Sequence, residues 1–164
     1  MPLPKPTDGP TTRMVKRLRT LMDADDTHQY FTGAVRKYPP SDVSKVDEII
    51  VSLHVSDDDT SVETLNSWRA NPRVLLTVMA HCSEAGTEAA IYEQLQNVTD
   101  ALKEALWQWR AGPPVAPRDW HSLRFLGGNG GEATTEYKHL QGKYFASSTA
   151  ISLKSQQRNP QPNP

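Results

Sequence analysis

The stretch from Thr87 to Arg110, TEAAIYEQLQNVTDALKEALWQWR, contains neither glycine nor proline. Ile91, Leu95, Val98, Leu102, Leu106 and Trp109 recur three or four residues apart, the spacing that puts side chains on one face of an α-helix. Ala90, Ala101 and Ala105 widen that face, while Glu88, Glu93, Gln94, Gln96, Asp100, Lys103 and Glu104 occupy the other side. Thr87 or Ser83 is a candidate cap, and Glu88 suits the positive end of the helix dipole. Gly112, Pro113 and Pro114 stop the helix. A helix with one long apolar stripe needs a surface to cover. The flanking segments read as the sheet that supplies it.

Val46 to Val55 (VDEIIVSLHV) alternates with the period of two expected of a strand. In Arg73 to Cys82 (RVLLTVMAHC), Val74, Leu76, Val78, Ala80 and Cys82 point one way, and Leu75, Thr77, Met79 and His81 point the other. Both sides are largely apolar, which predicts a central strand with the long helix on at least one side. These two strands are expected to pair antiparallel. Trp120 to Leu126 is a third strand. In the fourth, Tyr144 to Leu153, Phe145, Ser147, Thr149, Ile151 and Leu153 share a face. A short helix is predicted over Thr12 to Met22. The expected fold is α+β in a single domain: a mainly antiparallel sheet of about four strands, packed by one long helix, with an N-terminal helix and extended arms. The domain spans 12–155. Residues 1–11 form a proline-rich arm, and 156–164 a polar, proline-containing flexible tail.

Few chemistries fit. The single cysteine, Cys82, excludes an internal disulfide and suits a reducing compartment. His81 and Cys82 are adjacent on a strand, so they face opposite ways and cannot grip one ion. The other histidines stand singly, without metal-ligand spacing. Gly127-Gly128-Asn129-Gly130-Gly131 lacks the Lys-Ser/Thr of a phosphate loop and reads as a hairpin loop. Asp57, Asp58 and Asp59 lack the spaced ligands and the glycine of a calcium loop, and read as an acidic turn. No catalytic, cofactor or metal site is expected, and the chain is not read as an enzyme. MPLPKPTDGP has no apolar run of the signal-peptide kind, and no stretch approaches the ~20 apolar residues of a membrane span. Net charge is −1, so no global field draws the chain to nucleic acid. Arg13, Lys16, Arg17 and Arg19 cluster on the short helix, either as a contact for phosphate or an acidic partner, or as a solvated face, the ordinary outcome for a short basic run. Trp107 and Trp109 lie two positions apart and cannot share a helix face. One of them is expected to be exposed, or covered by the 112–119 linker or by a partner. Interface candidates are Trp68, Trp107, Trp109, Trp120, Gly128, Asn129, Gly130, Arg13 and Arg17.

The order of elements resembles the tail terminator proteins of tailed bacteriophages, also called tail-tube terminator or head–tail joining proteins. The resemblance rests on an N-terminal helix, two strands of which the second is RVLLTVMAHC, the helix TEAAIYEQLQNVTDALKEALW, a glycine-containing turn and a last strand ending FASSTAISLKS. It covers roughly Thr12 to Ser155. It implies a non-enzymatic virion protein of the tail or neck, assembled in the host cytoplasm without cofactor or membrane. Members of this family form a ring, typically a homohexamer, on the head-proximal end of the tail tube. The ring ends tube polymerisation and joins the tail to neck and head-completion proteins, and to the sheath protein where the tail contracts. Genomic DNA passes through without specific binding, which favours an acidic lumen. Asp57, Asp58 and Asp59 are then the lumen-facing candidates. The glycine hairpin and the two arms are candidates for ordering on neighbours. WQWRAGPPVAPRDW departs from the family pattern in its tryptophan content and reads as a contact particular to this chain. The alternatives are another phage neck or head/tail-completion protein and a small nucleic-acid-binding regulatory module built on Arg13 to Arg19. The near-neutral charge and the lack of aromatic-basic interleaving count against the second.

Overall fold

A computed structural model describes residues 7–24, 29–39, 49–58, 61–64, 67–81, 86–126, 135–140 and 144–158, with the side chains of 61–68, 139–140 and 156–158 left out. The elements are α1 (Pro10–Ala24), β1 (Ile49–Asp58), β2 (Ser61–Thr64), β3 (Ser67–Ala70), β4 (Pro72–His81), α2 (Glu88–Gln108), β5 (Ser122–Phe125), β6 (Thr135–Leu140) and β7 (Tyr144–Arg158). The α+β class and the antiparallel sheet are as the sequence predicts. The four expected strands are β1, β4, β5 and β7. Three more, β2, β3 and β6, join them among the described residues. β2 and β6 are polar, and the alternation in Ser67-Trp68-Arg69-Ala70 lasts only four residues, so periodicity alone does not mark these three strands.

Every pairing among these seven strands is antiparallel, and Arg36 adds an isolated parallel bridge to Ser52 of β1. β4 lies between β1 and β7, with Val51 opposite Val78 and Val78 opposite Ser147. β7 is the spine of the sheet. Beyond the stretch shared with β4, its last four residues pair with β3, from Ser155 opposite Ala70 to Arg158 opposite Ser67. The strand therefore runs past Ser155, the expected end of the domain. Along its other edge, β7 carries β6 and then β5. The connection from β1 to β4 holds the β2–β3 hairpin.

Both helices pack on one face of the sheet, α1 against β1 and β7, α2 against β4 and β7. Val74, Leu76, Val78 and Ala80 of β4 are buried there with Leu95, Val98, Leu102 and Leu106 of α2 and Met14, Leu18 and Met22 of α1. At roughly 1.5–3 kcal/mol for each fully buried aliphatic side chain, this layer is the main stabilising term of the fold. Ile91, expected on the apolar face, is partly buried at its margin, and Ala90 is exposed. Ile50, Met79 and Ala146 form a second, small cluster with Tyr144, on the opposite side of the sheet. β4 is thus central, as its two apolar sides predict.

The predicted Thr87 cap is not made. Thr87 has ψ 0°, away from the extended geometry that aims a capping hydroxyl at the next turn, and its side chain makes no capping bond. Glu88 instead accepts the Gly86 N–H at 2.8 Å. At the other end Gly112 has φ +133°, and a Cβ there would stand 3.0 Å from the Trp120 carbonyl oxygen. Only glycine lets the chain turn so close to Trp120.

Candidate interaction surface

The tryptophans divide as their spacing requires. Trp109 and Trp120 are buried, and the Trp120 indole N–H donates to the Trp109 carbonyl oxygen at 2.8 Å. They lock the 112–119 linker, which contains a cis Ala116–Pro117 bond, onto the end of α2. Trp107 points outward and is 55% exposed. Its ring stacks on Phe125, with centroids 6.4 Å apart and 19° between planes, and the Arg110 guanidinium lies 4.8 Å from its centroid. Val115 is exposed as well. Trp68 lies in β3, its side chain outside the described residues.

A shallow surface of about 530 Å³ opens beside Trp107 on α2, lined by Asp100, Lys103, Glu104 and Gln108. Asp100, Glu104 and Trp107 are four and three residues apart, so they form one stripe along the helix. Lys103 lies 3.6 Å from Asp100 and donates to the Thr135 hydroxyl at 3.1 Å, which ties it down toward the sheet. Beneath the helix, the Thr99 and Ser147 hydroxyls meet at 2.7 Å, both buried. Burial, then the nearby Asp100 carboxylate and Tyr92, push the Tyr137 phenol above its usual range.

The cations of α1 are mostly engaged. The Arg13 guanidinium donates to the Asp8 carbonyl oxygen at 2.7 Å, and Lys16 to the Asp8 carboxylate at 2.7 Å. Arg17 donates to the Val115 carbonyl oxygen at 2.7 Å, joining α1 to the linker after α2. Arg19 reaches the Leu53 carbonyl oxygen at 3.4 Å, and its partial burial lowers its pKa. The Lys16 hydrogen bond, and then its charge, hold the Asp8 carboxyl below its ordinary value. Asp8, Lys16 and Arg19 line a cleft of about 340 Å³ together with Lys37, Tyr38, His54 and Val55. Tyr38 is 74% exposed, and its ring stands 6.3 Å from that of His54.

Asp57 and Asp58, expected in an acidic turn, are instead the last residues of β1, opposite Arg73 and Pro72 of β4, and both make internal contacts. Asp57 pairs with Arg73 at 3.3 Å, and Asp58 accepts the Thr11 hydroxyl at 2.5 Å, which fastens β1 to the start of α1. Asp59, Cys82, Gly128, Asn129 and Gly130 lie outside the described residues. Among those described, no three His, Cys, Asp or Glu side chains stand together as a metal site would require, and no helix is long and apolar enough to cross a membrane. His81 packs its ring 5.3 Å from that of Tyr144.

The sequence did not single out Lys37, Tyr38, Phe125 or Glu104. Tyr38 stands in a connector that has no periodicity to read. A lone exposed aromatic between a lysine and two prolines was the available signal. Phe125 alternates inward along β5, and only the fold brings it beneath Trp107.

No protein-family model matches the chain, and no curated protein matches it. Among solved structures it is similar to a chain from the virion of a native gene transfer agent (GTA) particle. The two are 14% identical, the match covers 85% of this chain and 92% of that one, and the TM-score is 0.58. At that identity the likeness is one of fold.

Proposed function

We propose that this chain is a structural component of a phage-like virion, and that it acts as a tail terminator. In that role it forms a ring, in the resembled family a hexamer, that caps the head-proximal end of the tail tube and joins it to the neck. The observation that carries the proposal is the likeness of fold, over nearly the full length of both chains, to a chain of a virion particle. The exposed Trp107 and Val115 support it as anchors for protein contact. The sequence resemblance supplies the terminator assignment within the virion. Tube protein and neck proteins are the partners, with sheath protein in a contractile tail, and genomic DNA passes without specific contact.

Purified tail tubes mixed with the chain and imaged by negative stain test this reading. The expected result is a ring at one end only, and an arrest of further tube growth. Tubes that keep bare ends and go on elongating would remove the terminator reading, and binding to isolated necks in their place would favour a completion protein. Asp57, Asp58 and Asp59 are proposed to face the lumen. Reversing all three to lysine leaves ring assembly intact and slows DNA passage. Normal infectivity of that variant would end the lumen assignment.

A further inference from the structure

The two helices that share one face of the sheet carry opposite charge. Within α1, Arg13, Lys16, Arg17 and Arg19 stand against Asp23, a net of +3. Within α2, Glu88, Glu93, Asp100 and Glu104 stand against Lys103, a net of −3. Each helix also borders exposed apolar surface: Tyr38 and Val55 beside α1, Trp107 at the end of α2. In the cleft beside α1, Lys16, Arg19 and Lys37 face the single carboxylate of Asp8. On the stripe beside Trp107, Asp100 and Glu104 stand outward, while the two nearby cations are held by internal contacts: Lys103 is drawn down to Thr135, and Arg110 lies over the Trp107 ring and donates to the Trp107 carbonyl oxygen.

We propose that these are the two halves of one self-contact. The basic cleft at α1 of one copy takes the acidic, Trp107-bearing stripe of α2 from a second copy. An aromatic anchor rimmed by complementary charge is the anatomy of a specific protein contact. The occupant is a second copy of this chain because the chain itself carries both complementary surfaces, on different elements. Such a pairing of unlike surfaces repeats head to tail, and it gives a ring when the rotation closes. Only that closure rests on the ring reading; the contact itself does not.

Lys37 and Glu104 are exposed and allow reversal without disturbing the core. The test is sedimentation of the full-length chain over rising concentration in ~25 mM salt, where surface charges are weakly screened. The wild-type chain is expected to self-associate, and high salt to weaken that association. Lys37→Glu and Glu104→Lys each weaken it by about ten-fold. The double variant Lys37→Glu/Glu104→Lys regains it, as does an equimolar mixture of the two single variants. Thermal melts unchanged from wild type show that the reversals leave the fold intact. A wild-type chain that stays monomeric up to its solubility limit overturns the proposal, and so does association indifferent to either reversal or a double variant that regains nothing. Closed rings that ignore the reversals refute this contact and leave the ring reading standing. Dimers that respond to the reversals and grow no further sustain the contact and refute ring closure.

Discussion

Joining Leu126 directly to Thr135, with residues 127–134 removed, should leave a folded and more stable protein. The Leu126 N–H donates to the Ala150 carbonyl oxygen at 2.8 Å, which places Leu126 opposite Ala150 on β7. Thr135 stands opposite Thr149, the next residue of β7. The last rung beyond β5 and the first rung of β6 are therefore consecutive, and one peptide bond spans such a step. Side-chain alternation also continues across the join. Leu123 and Phe125 face Leu153 and Ile151 on the helix side, and Thr135 and Tyr137 follow in phase opposite Thr149 and Ser147. β5 and β6 thus lie in line along one edge of β7, with eight residues of sequence between Leu126 and Thr135. Closing a loop of that length costs about (3/2)RT ln 8, or ~1.8 kcal/mol. Removing it, less some relaxation at the new junction, should raise stability by about 1–2 kcal/mol. At about 2–4 °C per kcal/mol for a chain of this size, Tm should rise by ~2–8 °C. Urea and thermal unfolding of the spliced chain measure this, with an unchanged urea m-value showing that the same surface is buried. A loss of stability or a lower m-value would refute the reading of β5 and β6 as one interrupted strand. A stable spliced chain that no longer caps tubes would assign the contact to the excised segment, which holds Gly128, Asn129 and Gly130.

Three further outcomes follow from the packing. Thr99→Val strands the buried Ser147 hydroxyl and should cost about 1–3 kcal/mol in urea unfolding. The double variant Thr99→Val/Ser147→Ala should cost less than the sum of the single changes, and strict additivity would show that the two hydroxyls do not depend on each other. Gly112→Ala forces a side chain into φ +133° against the Trp120 carbonyl oxygen, and should lower stability by about 1–3 kcal/mol; an unchanged melting curve would contradict that geometry. Asp8, whose pKa Lys16 depresses in the folded chain, contributes stability that is present above the unfolded carboxylate pKa and is lost as pH falls through the folded value. In an NMR titration its carboxyl should titrate below the ordinary range and return toward it in Lys16→Gln, and an unmoved midpoint would dissociate the pair.

The sequence makes α2 the organiser of the fold, whereas in the structure β7 holds more of it together. The reason is chemical. Leu95, Leu102 and Leu106 announce a helix face because burial of large aliphatic groups leaves a strong periodic signal. β7 reads YFASSTAISLKSQQR, in which Ser147 and Thr149 occupy core positions. Their hydroxyls are satisfied by Thr99 and Thr135, partners that only the tertiary fold supplies. Backbone pairing then does for β7 what side-chain hydrophobicity does for α2. β3 was hidden for the same reason, since three of its four pairing partners, Gln156 to Arg158, lie in the stretch whose composition reads as a tail. The candidate surface was half legible. Helical geometry alone forced Trp107 and Trp109 apart, and the fold decided that Trp107 is the exposed one. The cations of α1 were visible as a group, but their separate tasks, such as Arg17 on the Val115 carbonyl oxygen, depend on contacts distant in sequence.

Net charge is the quantity that misleads most in a chain of this kind. A total of −1 argues against a strong pull toward nucleic acid, because such a pull depends on the summed field at long range. The same total says nothing about contacts shorter than a Debye length, about 8–10 Å at ordinary salt. Within that distance each helix presents its own sign, +3 on α1 and −3 on α2, and the two cancel only when the whole molecule is viewed from afar. Self-association of the kind proposed gains from this arrangement. Free copies carry little net charge to repel one another, while each helix surface still rejects its like and accepts its opposite. The salt dependence of self-association separates this arrangement from an apolar contact. Charge-matched helices predict association that weakens steadily with salt, whereas a contact made by Trp107 and Tyr38 alone would hold or strengthen.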